Sequence, residues 1–431
     1  FLTLTSWDNM KVAFLHPDLG LGGAERLVVD AAVELVQQGH HVDMYTAYYD
    51  PGRCFEETRT GGFSVTVAGS WFPRHIGGKL MALCAYIRCM LVALHIAISA
   101  KTRYDVVIVD QVSVVIPLLK LLTKSKVLFY CHFPDMLLAQ RKSLLKKLYR
   151  APLDWAEQTT TGWADHILVN SHFTAGVFAQ TFTRLAARGV QPDVLYPAVP
   201  VPSQQSLQAA SSGWREALGA ELAGFVDAGG PVVLSINRFE RKKDIGLAVR
   251  ALAELRARGG EGTRVRLVVA GGYDVRVREN VEHLRELQQL VAELQLGGLV
   301  AFLPSFSDAQ RSALLAAAAL VVYTPQHEHF GIVPIEAMAA GKPVLACRSG
   351  GPTESIADGE TGLLCDPTPA AFAAALDRLL KSNAAEAARM GKAARARVEA
   401  MFSRPAFGST LDGYVCSLAA GKKAAAAAKA E

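Results

Sequence analysis

Short apolar runs alternate with longer segments of helical period along most of this chain. Residues 11–16 form an apolar run, 20–23 a glycine turn, and 24–38 an amphipathic helical segment. Further runs of strand length lie at 41–47, 105–110, 126–132, 166–170 and 193–196. The pattern then breaks, because 197–213 is rich in Pro, Ser and Gln, the composition of a linker. It resumes at 231–236 and continues through 265–270, 300–303, 320–323 and 344–347. Strands that are apolar nearly throughout, separated by helices, predict parallel sheets covered on both faces. The expected fold class is α/β, with two Rossmann-like domains facing a cleft. The expected boundaries are an N-terminal domain over 1–200, a linker over 201–213 and a C-terminal domain over 214–403. A helix within 404–431 is expected to return to the N-terminal domain and to end in an Ala/Lys tail. Ligands of such sheets bind beyond the carboxyl ends of the strands, so the loops that follow strands hold the candidate chemistry.

One segment departs from this pattern. Residues 80–100 are mostly apolar over a length near the ~20 residues that span a bilayer. Arg88 lies at its centre, where insertion costs on the order of 2.5–3.5 kcal/mol. A single crossing would put the strands on either side of it across a membrane from one another, yet they belong to one sheet. Two readings stay open: a helix lying in or dipping into the membrane interface, or an ordinary buried helix. A nearby basic cluster, Arg141, Lys142, Lys146, Lys147 and Arg150, suits anionic lipid heads. Its alternative is a solvated helix face.

Composition narrows the function classes. The 431 residues are 51% hydrophobic and 20% charged, enough for two domains with large cores. The net charge of +5 is mild and dispersed, so nucleic acid is not an expected partner. Seven cysteines without a CxxC pair read as reduced, buried thiols. No zinc spacing appears, and His327 and His329 flank Glu328 without the helical spacing of a metal site; no metal and no cofactor are expected. Residues 1–10 show no signal peptide.

The richest stretch for chemistry is His327-Glu328-His329-Phe330-Gly331-Ile332-Val333-Pro334-Ile335-Glu336. Two glutamates stand eight apart, with a glycine and a first-turn proline between them. A helix is expected over about 334–340, ending at Gly341. The amides of Gly331, Ile332 and Val333 would then face outward beside the positive end of the helix dipole, which suits a phosphate. Glu328 and Glu336 would grip sugar hydroxyls. Arg238 and Lys243 follow the 231–236 strand and can converge on one diphosphate as fixed cations, in place of a magnesium ion. Gly22 and Gly23 open a helix after the first strand, where a ligand can approach the amides. The turn is not GxGxxG, and no ribose-binding acid follows at dehydrogenase spacing. His132 ends a buried strand, either to meet a substrate hydroxyl or as a satisfied structural histidine. Asp135 is a weaker candidate for the acceptor hydroxyl, and Gly271-Gly272 and Leu303-Pro304 are weak candidates for contact with a nucleotide base.

Taken together, these motifs resemble the retaining, two-domain (GT-B type) glycosyltransferases that use nucleotide sugars, over nearly the whole chain. The resemblance implies that Glu328 meets the donor sugar, Glu336 the ribose, and Gly331 to Val333 the sugar and phosphate. It also implies Arg238 and Lys243 at the diphosphate, Gly22 and Gly23 in the glycine turn, and His132 near the donor sugar. The stretches 14–26, 130–135, 170–174 and 237–244 are more specifically similar to the dolichol-pathway mannosyltransferases that make α-1,3 and α-1,6 linkages. That similarity implies GDP-mannose as donor and a lipid-linked oligosaccharide, mannosyl-chitobiosyl-diphosphodolichol, as acceptor. It implies the cytosolic face of the endoplasmic reticulum membrane and, as partners, the membrane surface and other glycosyltransferases of the pathway. Another retaining transferase with a lipid acceptor, a non-catalytic sugar-nucleotide-binding scaffold, and a phosphorylase or epimerase on this architecture are the alternatives.

Overall fold

Seven short strands pair side by side, all parallel, in the first sheet of this computed structural model, which describes residues 9–138, 143–381 and 384–427. They are β1 (Lys11–His16), β2 (His41–Thr46), β3 (Ser64–Val67), β4 (Val106–Asp110), β5 (Lys126–Cys131), β6 (His166–Val169) and β7 (Asp193–Val194), in the order β3-β2-β1-β4-β5-β6-β7. The second sheet comprises β8 (Val232–Ile236), β9 (Arg266–Gly271), β10 (Val300–Pro304), β11 (Leu320–Tyr323), β12 (Val344–Cys347) and β13 (Gly362–Cys365), in the order β10-β9-β8-β11-β12-β13. The central strands β1, β4, β8 and β11 are almost wholly buried, as helices on both faces require. In each sheet the strand order reverses once, between β1 and β4 and between β8 and β11. Chain leaves those neighbours in opposite directions, which opens a crevice at the strand ends. The two sheets belong to separate compact units, Phe1–Ala198 with Arg404–Glu431, and Val199–Ser403.

The hydrophobic pattern misses β3 and β13. β3 is an edge strand with half-exposed side chains, and β13 is a four-residue run entered through a glycine. The expected linker is also corrected. Residues 204–213 begin a helical segment, Gln204–Asp227, kinked at Gly219, whose first turn is capped by the Ser203 hydroxyl accepting from the Ser206 N–H at 3.0 Å. Pro and Ser there mark a capped helix start rather than irregular chain.

The C-terminal helix Arg404–Ala427 completes the first unit. Phe407, Leu411, Val415 and Ala419 enter the same core as Val28, Ala31 and Leu35 of the helix Gly23–Gln37. Gly408 allows this approach, since a Cβ there would lie 2.7 Å from that of Glu34. Arg404 adds charge contacts to Asp30 at 3.0 Å and Glu34 at 3.5 Å.

The apolar segment forms the helix Met81–Ile98. Cys84 is buried, Tyr86, Cys89, Val92, Ala93 and Ile96 enter the core of the first sheet, and Met81, Met90, Leu94 and Ile98 are exposed. Of the basic cluster, Lys146 and Lys147 are exposed on the helix Leu144–Thr161, and Arg141 and Lys142 lie outside the described residues. Arg150 does not belong to the surface cluster: it is buried and paired with Asp135 at 2.8 Å and Asp154 at 2.9 Å. All seven cysteines are free thiols.

Phe407 is 2% exposed. Phe407→Ala is expected to destabilise the first unit by about 3–5 kcal/mol, the usual cost of emptying an aromatic core position. Urea unfolding followed by signals from the first unit measures this; a loss under about 1 kcal/mol would mean that the C-terminal helix is not part of that core.

Candidate functional site

In the second unit, chemistry gathers where β8 and β11 diverge. After β8 the chain makes a short 3-10 turn, Arg241–Lys243, and enters the helix Ile245–Ala257 through Asp244 with φ +45°. Phe239 anchors the turn as a fully buried ring. The Thr324 hydroxyl just beyond β11 donates to the Lys243 carbonyl at 2.8 Å. So fixed, the Lys243 side chain is 11% exposed and its Nζ donates to Glu328 Oε1 at 2.5 Å. Two of the residues expected at the site are thus joined in one ion pair. Tyr323 adds a buried hydroxyl that bonds Glu328; burial, reinforced by that carboxylate, pushes the phenol well above its ordinary pKa.

The Glu328 loop is braced from behind by the turn after β12. The Gly351 N–H donates to the Glu328 carbonyl at 2.8 Å, and the His327 N–H to the Ser349 hydroxyl at 3.0 Å. A Cβ on Gly351 would stand 2.2 Å from the Phe330 carbonyl oxygen, and one on Gly350, at φ +64°, 2.4 Å from that of Glu328. Only glycines allow this contact. The helix begins at Ile332, two residues before the expected start, and runs Ile332–Ala339. Gly331, at φ +84°, turns the chain into it, leaving the Ile332 and Val333 amides in the first turn without intrahelical partners. Pro334 sits where a missing N–H costs nothing.

Glu336 stands in a second pair. Arg311, from the helix Asp308–Ala317, donates to its Oε1 at 2.7 Å. Burial raises the carboxyl pKa, and the Arg311 charge opposes that rise. Both residues border a cavity of about 330 Å³ that also touches Asp308, Ser312 and Lys342. Arg238 is 62% exposed and its guanidinium lies 2.8 Å from Glu240, and its charge also acts on the buried Tyr323 hydroxyl that bonds Glu328. Gly271 and Gly272 have a packing reason, since a Cβ on Gly271 would overlap the Asn237 carbonyl at 1.6 Å and one on Gly272 would press the Arg238 stem.

In the first unit, a buried carboxylate organises the crevice between β1 and β4. Asp110 ends β4 with no exposure; its Oδ2 lies 2.7 Å from His16 Nδ1 and its Oδ1 2.7 Å from His132 Nε2. The His132 contact is close but off the line of a good hydrogen bond. Burial opposes a charge on His16, but the hydrogen bond and charge of Asp110 outweigh it and leave its pKa raised. Burial also opposes ionisation of Asp110, and the two histidines overcome it, leaving that pKa lowered. The Asn170 side chain holds the His132 carbonyl at 3.1 Å.

The glycine turn is more crowded than its sequence suggests. Gly22 is extended, and a Cβ there would be 2.2 Å from Glu25 Oε2, so the Glu25 carboxylate folds back over its own helix start. Gly23 faces open space. Asp135 is engaged with Arg150. Its N–H donates at 2.7 Å to Glu157, whose carboxyl burial pushes up to about 7.

Sequence reasoning passed over Asp110, Tyr323, Thr324, Arg311 and the Ser349-Gly350-Gly351 turn. Asp110 and Thr324 left a signal, a polar residue ending an apolar strand run. Arg311 left none, because its partner is 25 residues away on another helix.

Known proteins resemble this chain over nearly its whole length. Family models described as Glycosyl transferases group 1 and Glycosyltransferase Family 4 match residues 224–397 and 21–184. The chain is 50% identical over 414 residues to "Alpha-1,3/1,6-mannosyltransferase ALG2" of Homo sapiens, covering 95% of this chain and 96% of that protein. It is 40% identical over 433 residues to the protein of the same name in Saccharomyces cerevisiae, covering 93% and 83%. Among solved structures, sucrose-phosphate synthase from Thermosynechococcus elongatus matches with a TM-score of 0.72 at 24% identity, over 96% of this chain and 100% of that one. Anabaena Alr3699/HepE in complex with UDP matches with a TM-score of 0.68 at 20% identity, over 95% and 100%. At these identities the two structures speak for the fold, the GT-B arrangement of two Rossmann-like domains.

Asp110→Asn removes the main charge that holds the His16 pKa up, leaving the smaller effects of Glu25 and Asp18 against burial. The His16 imidazole is expected to titrate at lower pH in the variant, read by NMR of the ring protons. An unchanged or higher value would show that Asp110 does not control it.

Proposed function

We propose a reaction for this chain from one premise: it belongs to the alpha-1,3/1,6-mannosyltransferase ALG2 family. It is a glycosyltransferase that uses a nucleotide-sugar donor, and its activity is α-1,3/1,6-mannosyl transfer in N-glycan precursor assembly. The family further implies a lipid-linked oligosaccharide acceptor and the dolichol pathway at the endoplasmic reticulum. Our finer reading takes GDP-mannose as donor, without metal or cofactor, and Man-GlcNAc2-diphosphodolichol as acceptor, handled at the cytosolic face.

The observation that carries the mechanism is the Lys243–Glu328 pair at the β8/β11 reversal, beside the free amides of Ile332 and Val333. The donor diphosphate exchanges with Glu328 for the Lys243 ammonium, and Glu328 turns to a hydroxyl of the transferred mannose. Arg238 leaves Glu240 to join Lys243 on the diphosphate. Glu336, with one oxygen fixed by Arg311, offers the other to the ribose. His132 and the Gly22-Gly23 amides are assigned to the donor sugar and diphosphate by family resemblance. The glycine turn serves the diphosphate only once the Glu25 carboxylate swings aside, because two anions do not share one helix start.

Retention follows without a covalent intermediate. Glu328, released from Lys243, is taken up by the sugar hydroxyl, so no carboxylate is assigned as nucleophile in this reading. The bond from the anomeric carbon to the diphosphate oxygen breaks through an oxocarbenium-like ion pair. The acceptor hydroxyl attacks the same face, and the departing diphosphate takes its proton. Fixed cations at the leaving oxygen supply the stabilisation.

A membrane surface is the proposed setting. Leu144, Leu145, Leu148 and Trp155 are exposed on one helix with Lys146 and Lys147, a combination of apolar contact and positive charge suited to anionic bilayers.

Lys243→Ala is expected to lower kcat about 10²- to 10³-fold, the usual loss for one transition-state charge contact. Transfer from GDP-mannose to a synthetic phytanyl-diphosphate chitobiose bearing one mannose, read by mass spectrometry with linkage-specific mannosidases, measures it. Wild-type product carrying both an α-1,3 and an α-1,6 mannose supports the whole reading; near-normal turnover in the variant removes Lys243 from the mechanism. Lys146→Glu with Lys147→Glu is expected to reduce co-sedimentation with anionic liposomes and to raise the apparent acceptor requirement. Unchanged partitioning would leave that helix as an ordinary solvated surface.

A further inference from the structure

Arg311 is held from several sides in the second unit. It lies in the first turns of the helix Asp308–Ala317, whose start is fixed by a reciprocal cap. The Ser307 hydroxyl accepts from the Gln310 N–H at 3.2 Å, and the Gln310 side chain accepts from the Ser307 N–H at 3.0 Å. Ala313, Leu314 and Leu315 of the same helix are buried. The Arg311 guanidinium stands over the Phe306 ring, 5.5 Å from its centroid, and Nη1 donates to Glu336 Oε1 at 2.7 Å. Glu336 Oε2 has no hydrogen-bond partner among the described residues. We propose that Arg311 is a positioning residue for the donor: it holds Glu336 by one oxygen so that the other meets a ribose hydroxyl, and it thereby makes the site selective for ribonucleotides over deoxyribonucleotides. The inference rests on the reading that places Glu336 at the donor ribose.

Two features set this pair apart from an ordinary surface salt bridge. The first is its surroundings. Burial pushes the Glu336 carboxyl toward its neutral form, Asp308 adds to that push, and Arg311 opposes it. The cavity that Glu336 and Arg311 share is also lined by Pro200, Pro202, Leu207 and Ala210, which give an ion no solvation. Lys342, the other cation on the cavity, donates its ammonium to the Ala316 and Ala318 carbonyls at 3.0 and 2.8 Å. Arg311 is thus the cation on which the Glu336 charge depends. The second feature is the Arg311 Nε, which is buried without a hydrogen-bond partner. A donor left unpaired in that way costs stability. An arrangement selected for stability alone would leave that N–H in water.

The chemistry explains the selectivity. An ionised carboxylate only accepts, so Oε2 seeks a hydroxyl hydrogen, and the bond it makes is about twice as strong as one between neutral groups. A deoxyribose offers a C–H at that place and forfeits the bond. A protonated Glu336 would lose the charge and much of the preference with it. The Arg311 bond also stops the carboxylate from rotating, which leaves one oxygen free in a fixed direction. With Arg311 gone, burial and Asp308 both raise the Glu336 pKa unopposed. Nucleotide affinity that depends on the carboxylate is then lost at a higher pH on acidification.

Calorimetric binding of GDP, 2′-deoxy-GDP and 3′-deoxy-GDP to the full chain tests this. In wild type, loss of the hydroxyl that Glu336 meets should weaken binding about tenfold, the effect of one charge-assisted hydrogen bond. Arg311→Met keeps the apolar stem. It should bind GDP about tenfold more weakly, and the missing hydroxyl should then matter less than about threefold. Its GDP affinity should also fall at a higher pH than that of wild type. Arg311→Lys keeps a cation without the planar fork and should restore part of the hydroxyl dependence. Glu336→Gln keeps the side-chain shape without the charge, and adding Arg311→Met to it should weaken GDP binding by less than about threefold more. A mere tether between two helices would not respond to a hydroxyl of the ligand. A hydroxyl dependence as large in Arg311→Met as in wild type, or fully additive losses in the double variant, overturns the proposal. Equal binding of GDP and both deoxy forms by wild type would instead reject the placement of Glu336 at the ribose.

Discussion

A lysine buried to nine-tenths must find a negative partner or lose its charge. Lys243 finds Glu328, and much of the second unit exists to make that meeting exact in space. Thr324 fixes the lysine backbone, Phe239 anchors its turn, and the turn after β12 holds the glutamate loop in place. The pair joins the loops that follow the two strands whose divergence opens the crevice. Removing one partner would leave a buried charge alone, which costs more than the pair contributes.

The same logic recurs at the other candidate residues. Glu336 is held by Arg311, Arg238 by Glu240, Arg88 by Asp18, and His132 and His16 by Asp110. Each charged group has an internal partner before any ligand arrives. Binding then becomes an exchange of partners instead of a capture by bare charge, and affinity reflects the difference between two sets of contacts. Such a site resists stray anions, because an incomplete ligand cannot offset the internal pair that it breaks.

The alternation of strands and helices was legible along most of the chain because central parallel strands must be apolar on both faces. β3 and β13 escaped because an edge strand and a four-residue run after a glycine carry too little pattern. The stretch 204–213 was misread since serine serves both caps and loops, and only its hydrogen bond separates them. Glu328 and the Gly331 turn were legible through spacing, for loop, glycine and helix start are consecutive in sequence, and Lys243 through its place after an apolar strand run. Arg311 and Asp110 were not, because their roles arise from residues far away in the chain. Arg88 was legible only as an expense in an apolar helix, and the structure supplies Asp18 and the Ala47 carbonyl to meet it.

The return of Arg404–Ala427 to the first unit has a consequence for the order of synthesis. The strands of that unit emerge from the ribosome before the second unit, but Phe407, Leu411 and Val415 emerge only after it. The second unit is a continuous stretch, Val199–Ser403, and can finish folding while the first still waits with apolar side chains uncovered. A chain that stops early therefore harms the half of the molecule made first. During each round of translation, that older half is the one most in need of a chaperone.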